Sequence, residues 1–535
     1  LTTPERDEPT DKPDQSKASK SEERASGTTP STARRAIDMM LELSDGRQIP
    51  DDPLTSRQKQ EAARRVGDAE FALALLEDDV TLFRADGQSY ASVVVDGLPQ
   101  VMNLRSAEFG AMARQRFFGE EKRFLRKSHF SAVLQALADK ALGAPQKEMY
   151  LRTAPIDDGI CIDLGDAAGR AISVTSAGYS VVDEPEVHFR RSSKPLPMPA
   201  GIGNVMLLRR HLNLTDGQFL LVVAWLTASL RPIGPYPVLM IYGQQGSSKS
   251  TVSKVLRRLV DGGTAPGRAL PSKKSDLDVA ALHSHLLAFD NVSVILNAIS
   301  DWLARLATGE EDGKRRLFTD AEEVVLSARR PILINGIVNV ISRADLADRA
   351  VFIELAPIPP AARITEAAFW HRFEQDAPAI MAGLLDVVAH GLSRLPTTVV
   401  EDLPRMADFA VWGTAIETAH WKPGDFMVAY RENISEASGD VLDLDEVGSA
   451  IIMLMGRRSE WSGTATQLLE TLQGQSPPRR GRQFPINAKV LSGELTRLTP
   501  LLGRRGIVVT RAKAATKDRS RFILISASGA DSAAE

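Results

Sequence analysis

A multidomain α/β protein is what this sequence predicts, and three observations carry the prediction. The chain has 535 residues and 43% hydrophobic content, more than one core accommodates, so two to four domains are expected. An apolar run from Val238 to Tyr242 leads into a Gly- and Ser-rich turn and then a helix-patterned segment, the order of an α/β unit. The composition also changes along the chain, from a polar start through apolar segments to a basic end.

Residues 1–55 hold scarcely an apolar residue before Ile37 and are expected to form a disordered tail, since they cannot bury enough surface to offset ordering entropy. Residues 56–200 read as a small α/β module. Helical patterns run from Arg57 to Leu76 and from Ala107 to Leu142, strand-like residues from Ser92 to Val95, and a meander from Met149 to Val187. Asp163 and Asp166 in that meander resemble a metal pair, but Asp at hairpin turns is the stronger reading. Pro195 to Gly203 is a linker. The next domain, 205–360, opens with a helix from Asp216 to Ser229 that stops before Pro232. Long amphipathic segments, Glu366 to Gly391 and Met406 to Ala419, predict a helical subdomain over 361–440. Residues 445–526 form a further domain and 527–535 a tail.

The net charge of −3 excludes a uniformly basic nucleic-acid coat. A lone cysteine, Cys161, excludes an internal disulfide and a thiolate zinc site. The longest apolar run, Phe219 to Ser229, is far short of the roughly 20 residues a membrane helix needs, so a cytoplasmic location and no membrane partner are expected.

The candidate site begins at Gly243-Gln244-Gln245-Gly246-Ser247-Ser248-Lys249-Ser250-Thr251. A strand delivers the chain to a turn whose backbone N–H groups face an anion, Lys249 reaches the β/γ-phosphates, and the Ser250 hydroxyl ligates Mg²⁺. ATP and Mg²⁺ are therefore the expected ligands. Ser248 stands where glycine is usual, which removes backbone freedom where a phosphate approaches. Val252, Val255, Leu256, Leu259 and Val260 continue as one helical stripe, and Asp261-Gly262-Gly263 stops it.

Leu286-Leu287-Ala288-Phe289-Asp290 is a buried strand ending in an acid, the place for a second magnesium ligand. Asn291 follows, where many related motors carry a glutamate that activates water; an amide takes no proton. The base is then Asp290 itself, or an acid from elsewhere such as Asp301 or Glu311. A third strand, Pro331 to Ile334, ends at Asn335, whose amide is placed to orient water. Arg349, just before the strand-like Ala350 to Leu355, is placed to reach the γ-phosphate of a neighbouring subunit. Lys249, Asp290, Asn335 and Arg349 are thus the catalytic candidates.

The order of these motifs resembles that of superfamily 3 helicases within the AAA+ ATPases. Residues 205 to 525 are similar to the ATPase and C-terminal portion of phage- and plasmid-type primase-helicases of the poxvirus-like branch. The likeness is carried by GQQGSSKST, LLAFDNVS, RLATGEEDGKRRLFTDAEEVV, RPILINGI, DLADR, LPRMADFA and EWSGTATQLLE. The resemblance implies an AAA+ type P-loop core, a hexameric ring in which Asn335 is a sensor and Arg349 a finger, and a hairpin that grips DNA. Lys314, Arg315 and Arg316 are the phosphate-contacting candidates on that hairpin.

Between Arg479 and Arg521, twelve basic residues face two acids, Glu494 and Asp518. Three helical segments, 447–455, 466–473 and 488–498, and two strands, 507–510 and 522–525, make a winged-helix pattern. Its third helix turns Lys489 and Arg497 outward and Val490, Leu491, Leu495 and Leu498 inward, while Arg511 and Lys513 begin a basic wing. The leading expectation is an ATP-driven helicase or translocase of a mobile element's replication system, acting on single-stranded or forked DNA, with priming left to a separate chain. The alternatives are a slow, ATP-switched initiator or loader, a defence-system ATPase, or a P-loop kinase.

Overall fold

The computed structural model describes residues 67–95, 97–190, 194–309, 312–315, 323–326, 329–475, 484–513 and 521–527. The expected tail at 1–55, Arg316, Glu311 and the hairpin tip lie outside these residues, as do the side chains of Lys314, Arg315 and Lys513. Two compact units divide the chain, one of Leu1–Thr81 with Gly110–Lys140 and one of Leu82–Phe109 with Ala141–Glu535. The stretch read as one module over 56–200 is therefore shared between units. In the first unit the helix Asp68–Glu77 sets Phe71 edge-on to Phe117, ring centroids 6.1 Å apart.

The second unit is organised by a four-stranded parallel sheet in the order Leu287–Phe289, Ile332–Gly336, Val238–Tyr242, Ala350–Glu354. Its strands are apolar on both sides because helices cover both faces. Leu239, Ile241, Val351 and Ile353 join one core with the helices Asp216–Ser229 and Lys249–Val260 and the long helix Glu366–Arg394. Val238, Met240, Ile332, Ile334 and Phe352 join the other, with the helix Asn297–Thr308 and residues of the C-terminal domain. The meander strands Thr153–Ile156, Gly159–Asp163, Ala171–Thr175 and Gly178–Val182 place Ile160, Ile162, Ile172 and Val174 in the first core. Asp163 and Asp166 serve as turn residues there: Asp163 accepts from Gly165 N at 3.0 Å and Asp166 from Arg170 Nε at 2.7 Å.

The helix Asp216–Ser229 starts where Thr215 and Gln218 form a reciprocal capping box. Both sheet edges are occupied. Asn433 from the helix Asp425–Leu444 accepts from Phe352 N (2.9 Å) and donates to Phe352 O (2.6 Å), imitating a fifth strand. On the other edge Arg268 N donates to Ala288 O and accepts, through its carbonyl, from Asp290 N.

The C-terminal region has the expected three helices, Glu446–Met455, Ala465–Gln475 and Ala488–Arg504, and the antiparallel pair Ile507–Lys513 and Arg521–Ala527. A third strand absent from the sequence reading, Glu460–Gly463, pairs with the last one. The third helix also runs past Pro500. Leu501 and Leu502 beyond it are 1% and 0% exposed, and that burial outweighs the roughly 3 kcal/mol helix penalty of proline. Asp312–Arg315 and Glu323–Leu326 pair antiparallel, the two arms of the expected hairpin.

Candidate nucleotide-binding site

The glycine-rich loop lies at the carboxyl end of the central strand Val238–Tyr242. Gly243 has φ +150°, and a Cβ there would sit 2.3 Å from Leu355 O, so only glycine fits. Ser248 adopts the left-handed conformation, φ 61° and ψ 27°, as the N-cap of the helix Lys249–Val260. That is where glycine is usual, and the serine stores roughly 1–2 kcal/mol of strain. Ser247 is buried and donates to Gln244 O at 2.8 Å, holding the loop's curvature.

Lys249 Nζ is held inside the loop by Gly243 O and Gln244 O, each at 2.8 Å, and by Ser247 Oγ at 3.3 Å. Partial burial holds its amine below the ordinary lysine range. Ser250 Oγ donates to Asp290 Oδ1 at 3.3 Å, so the two residues expected to hold magnesium meet across the strand ends. Thr251 continues the helix, half-buried.

Asn335 is 2% exposed and its amide is engaged on both sides. Its Oδ1 accepts from Asn291 N at 2.9 Å, and its Nδ2 donates to Ser253 Oγ at 2.8 Å. Asn335 thus ties the turn after Asp290 to the phosphate-loop helix. Asn291 itself has φ 54°, a left-handed position that asparagine tolerates better than glutamate. Asp301, an alternative acid, pairs with Arg343 at 2.7 Å.

Arg349, the residue placed to reach a neighbouring subunit's γ-phosphate, has a side chain that is 4% exposed and pairs with Asp345, four residues back; its Nη1 also donates to Asp345 O at 2.8 Å. Its carbonyl accepts from Val238 N, which puts it beside the first residue of the five-residue central strand. At about 3.3 Å per residue that is roughly 16 Å from its own loop, so it has no role there in cis.

The basic domain is corrected in part. Lys489 is exposed and Leu491, Leu495 and Leu498 are buried as expected, but Val490 is 42% exposed. Arg497 faces inward to Asp445 (3.2 Å) and also pairs with Glu494; Asp445 caps the helix Glu446–Met455. Arg511 reaches back to the third helix, donating to Ser492 O at 2.7 Å.

Among the described residues no cluster of three or more His, Cys, Asp or Glu is arranged to hold a metal, and no helix is long and apolar enough to cross a membrane. A magnesium ion held largely by water needs fewer protein ligands, and Ser250 and Asp290 are a hydroxyl and a carboxylate that would suit one.

Three solved structures share distant likeness. They are "SCCmec type IV Cch - active helicase" (12% identity, 84% of this chain and 93% of that one, TM-score 0.44), the apo C-terminal region of NrS-1 (12%, 86% and 100%, 0.38), and a JCV helicase (14%, 42% and 67%, 0.20). No curated protein matches the chain. Residues 205–440 match the model of the actinomycete integrative conjugative element replication protein, and residues 447–534 match the AICE RepA C-terminal domain. The segment from 205 to 534 is therefore similar, over two adjoining domains, to the RepA replication protein of actinomycete integrative conjugative elements.

Proposed function

We propose that this replication protein is an ATP-dependent DNA motor, an AAA+ type helicase or translocase working as a ring. The observation that carries the reading is the convergence of Lys249, Ser250 and Asp290 at the carboxyl ends of two parallel strands, beside a loop only glycine can form at Gly243. Lys249 and the loop N–H groups would hold the triphosphate, and Ser250 with Asp290 would hold Mg²⁺. Bound there, the ion would supply neutralisation of phosphate charge. Asn335 and Ser253 fix the position of the turn that follows Asp290, and Asp290, hydrogen-bonded to Ser250, is a carboxylate that could take a water-derived proton.

Assembly is supported by exposed apolar residues flanking this end of the sheet: Val294 (66%), Leu296 (52%), Ile337 (49%) and Val338 (55%). A second copy seated there would cover them. For Arg349 to act as a trans finger, docking must first draw it away from Asp345. DNA contact is proposed for Lys489 and, on the hairpin and wing, for Lys314, Arg315, Arg316, Arg511 and Lys513; a separate primase would lay down primers.

A second reading, a slow ATP-switched initiator or loader, is favoured by Asn291, which accepts no proton. ATP hydrolysis and strand displacement on forked DNA test both. DNA-stimulated turnover with unwinding is expected. Nucleotide and DNA binding without unwinding would select the switch, and indifference to nucleotide would overturn both readings.

A further inference from the structure

We infer that Arg363 is a second cation of the nucleotide site, contacting the polyphosphate in cis from the tip of the loop; this rests on the nucleotide-binding reading above. Beyond the last strand the chain runs alongside the loop. Leu355 N donates to Tyr242 O at 2.7 Å and Ile358 N to Gly246 O at 3.2 Å. Pro357, Pro359 and Pro360 then restrict the backbone, and a single 3-10 turn, Pro360–Ala362, ends at Arg363.

The far side of this short segment is fastened to the phosphate-loop helix. Glu366, the first residue of the long helix, accepts from Lys254 at 2.7 Å, and Glu374, about two turns along, pairs with Arg258 at 3.1 Å. Between the Ile358 contact and the Glu366 anchor, the Arg363 side chain folds back toward the loop, its Nε donating to Ile358 O at 3.2 Å. A Cβ built on Gly246 would sit 3.6 Å from Arg363 Nη2, which puts the guanidinium in van der Waals reach of the loop tip.

Among the described residues no carboxylate pairs with Arg363, unlike Arg258, Arg343, Arg349 and Arg497. Arg363 and Lys249 thus give this loop two cationic side chains, one at its tip and one inside it. A phosphate chain is an anion that matches the bidentate fork of arginine. Gly246 itself, at φ +80°, leaves the tip without a side chain that would block the approach.

The test is fluorescence titration of the full chain with mant-ATP and mant-ADP. Arg363→Ala is expected to weaken both at least tenfold, Arg363→Lys to recover part of the loss, and Arg372→Ala, an exposed arginine on the following helix, to change affinity less than twofold. Arg363 is exposed, so the melting temperature without nucleotide is expected to hold. If Arg363→Ala does melt lower, Arg363→Gln keeps the stem, loses the charge and gives the same readout. Wild-type binding with Arg363→Ala within twofold of it overturns this inference alone. No wild-type binding at all overturns the nucleotide-site reading and this one with it.

Discussion

The two ends of the parallel sheet treat their polar groups in opposite ways. At the carboxyl end Gly243, Lys249, Ser250 and Asp290 gather donors and a carboxylate around one loop. At the amino end polar residues just before three strands, two buried and one half-buried, are spent inside the protein. His285 Nε2 lies 2.7 Å from Ser229 O, Arg330 Nε donates to Ala281 O at 2.9 Å, and Arg349 pairs with Asp345. Parallel strands carry their ligand sites beyond their carboxyl ends, and the opposite end is free to be closed by packing. Charge alone does not tell which end a residue serves.

That contrast predicts where substitutions and pH act. The largest effect concerns His285. Burial holds its imidazole down at about 4, against an ordinary 6.5, so the folded protein keeps it neutral. Unfolded chains take up a proton below pH 6.5 and the folded one does not until about pH 4. Its contribution is therefore complete above pH 6.5 and declines as pH falls toward 4, by about 3 kcal/mol. Denaturant titrations from pH 8 to 4 are expected to show a loss that shrinks in His285→Gln; an unchanged pH slope in that variant would contradict it.

Arg349→Ala comes next, expected to cost about 2 kcal/mol of stability through lost packing and pairing, while nucleotide affinity stays within twofold. Unchanged stability with turnover alone abolished would erase the contrast between the two ends and restore a freely acting finger. Ser248→Gly should gain about 1 kcal/mol, because glycine adopts φ 61° without strain. A loss would mean that the left-handed serine is held by contacts of its own. The smallest effect separates two cations of the basic domain. Lys489→Ala should weaken DNA binding only a fewfold and lower the salt slope by about 0.9, with stability unchanged. Arg497→Ala should instead lower the melting temperature, since its partner Asp445 caps a helix.

Backbone chemistry was legible in the sequence to a degree that side-chain engagement was not. The loop, its strand and its helix follow from glycine spacing and apolar periodicity, and the helix Asp216–Ser229 matches the reading at both ends because Thr215 and Pro232 mark them. Tertiary partners were hidden. Nothing local to Asn335 announces Ser253, 82 positions earlier, whereas Asp345, four residues before Arg349, is near enough in sequence to suggest their pair. Arg363 was passed over because its place beside Gly246 depends on where the chain returns. The prolines of 357–360 hint at a stiff path, but not at where it leads. The strand Glu460–Gly463 was hidden in the same way, since four residues become a strand only when a partner edge arrives.

The most direct measurement is calorimetric titration of ATP into the full chain, with and without Mg²⁺, alongside Lys249→Ala. Binding by the wild type that strengthens with Mg²⁺ and falls more than a hundredfold in the variant is the predicted result. Equal heats from the two proteins, or none from either, would contradict a triphosphate site at this loop.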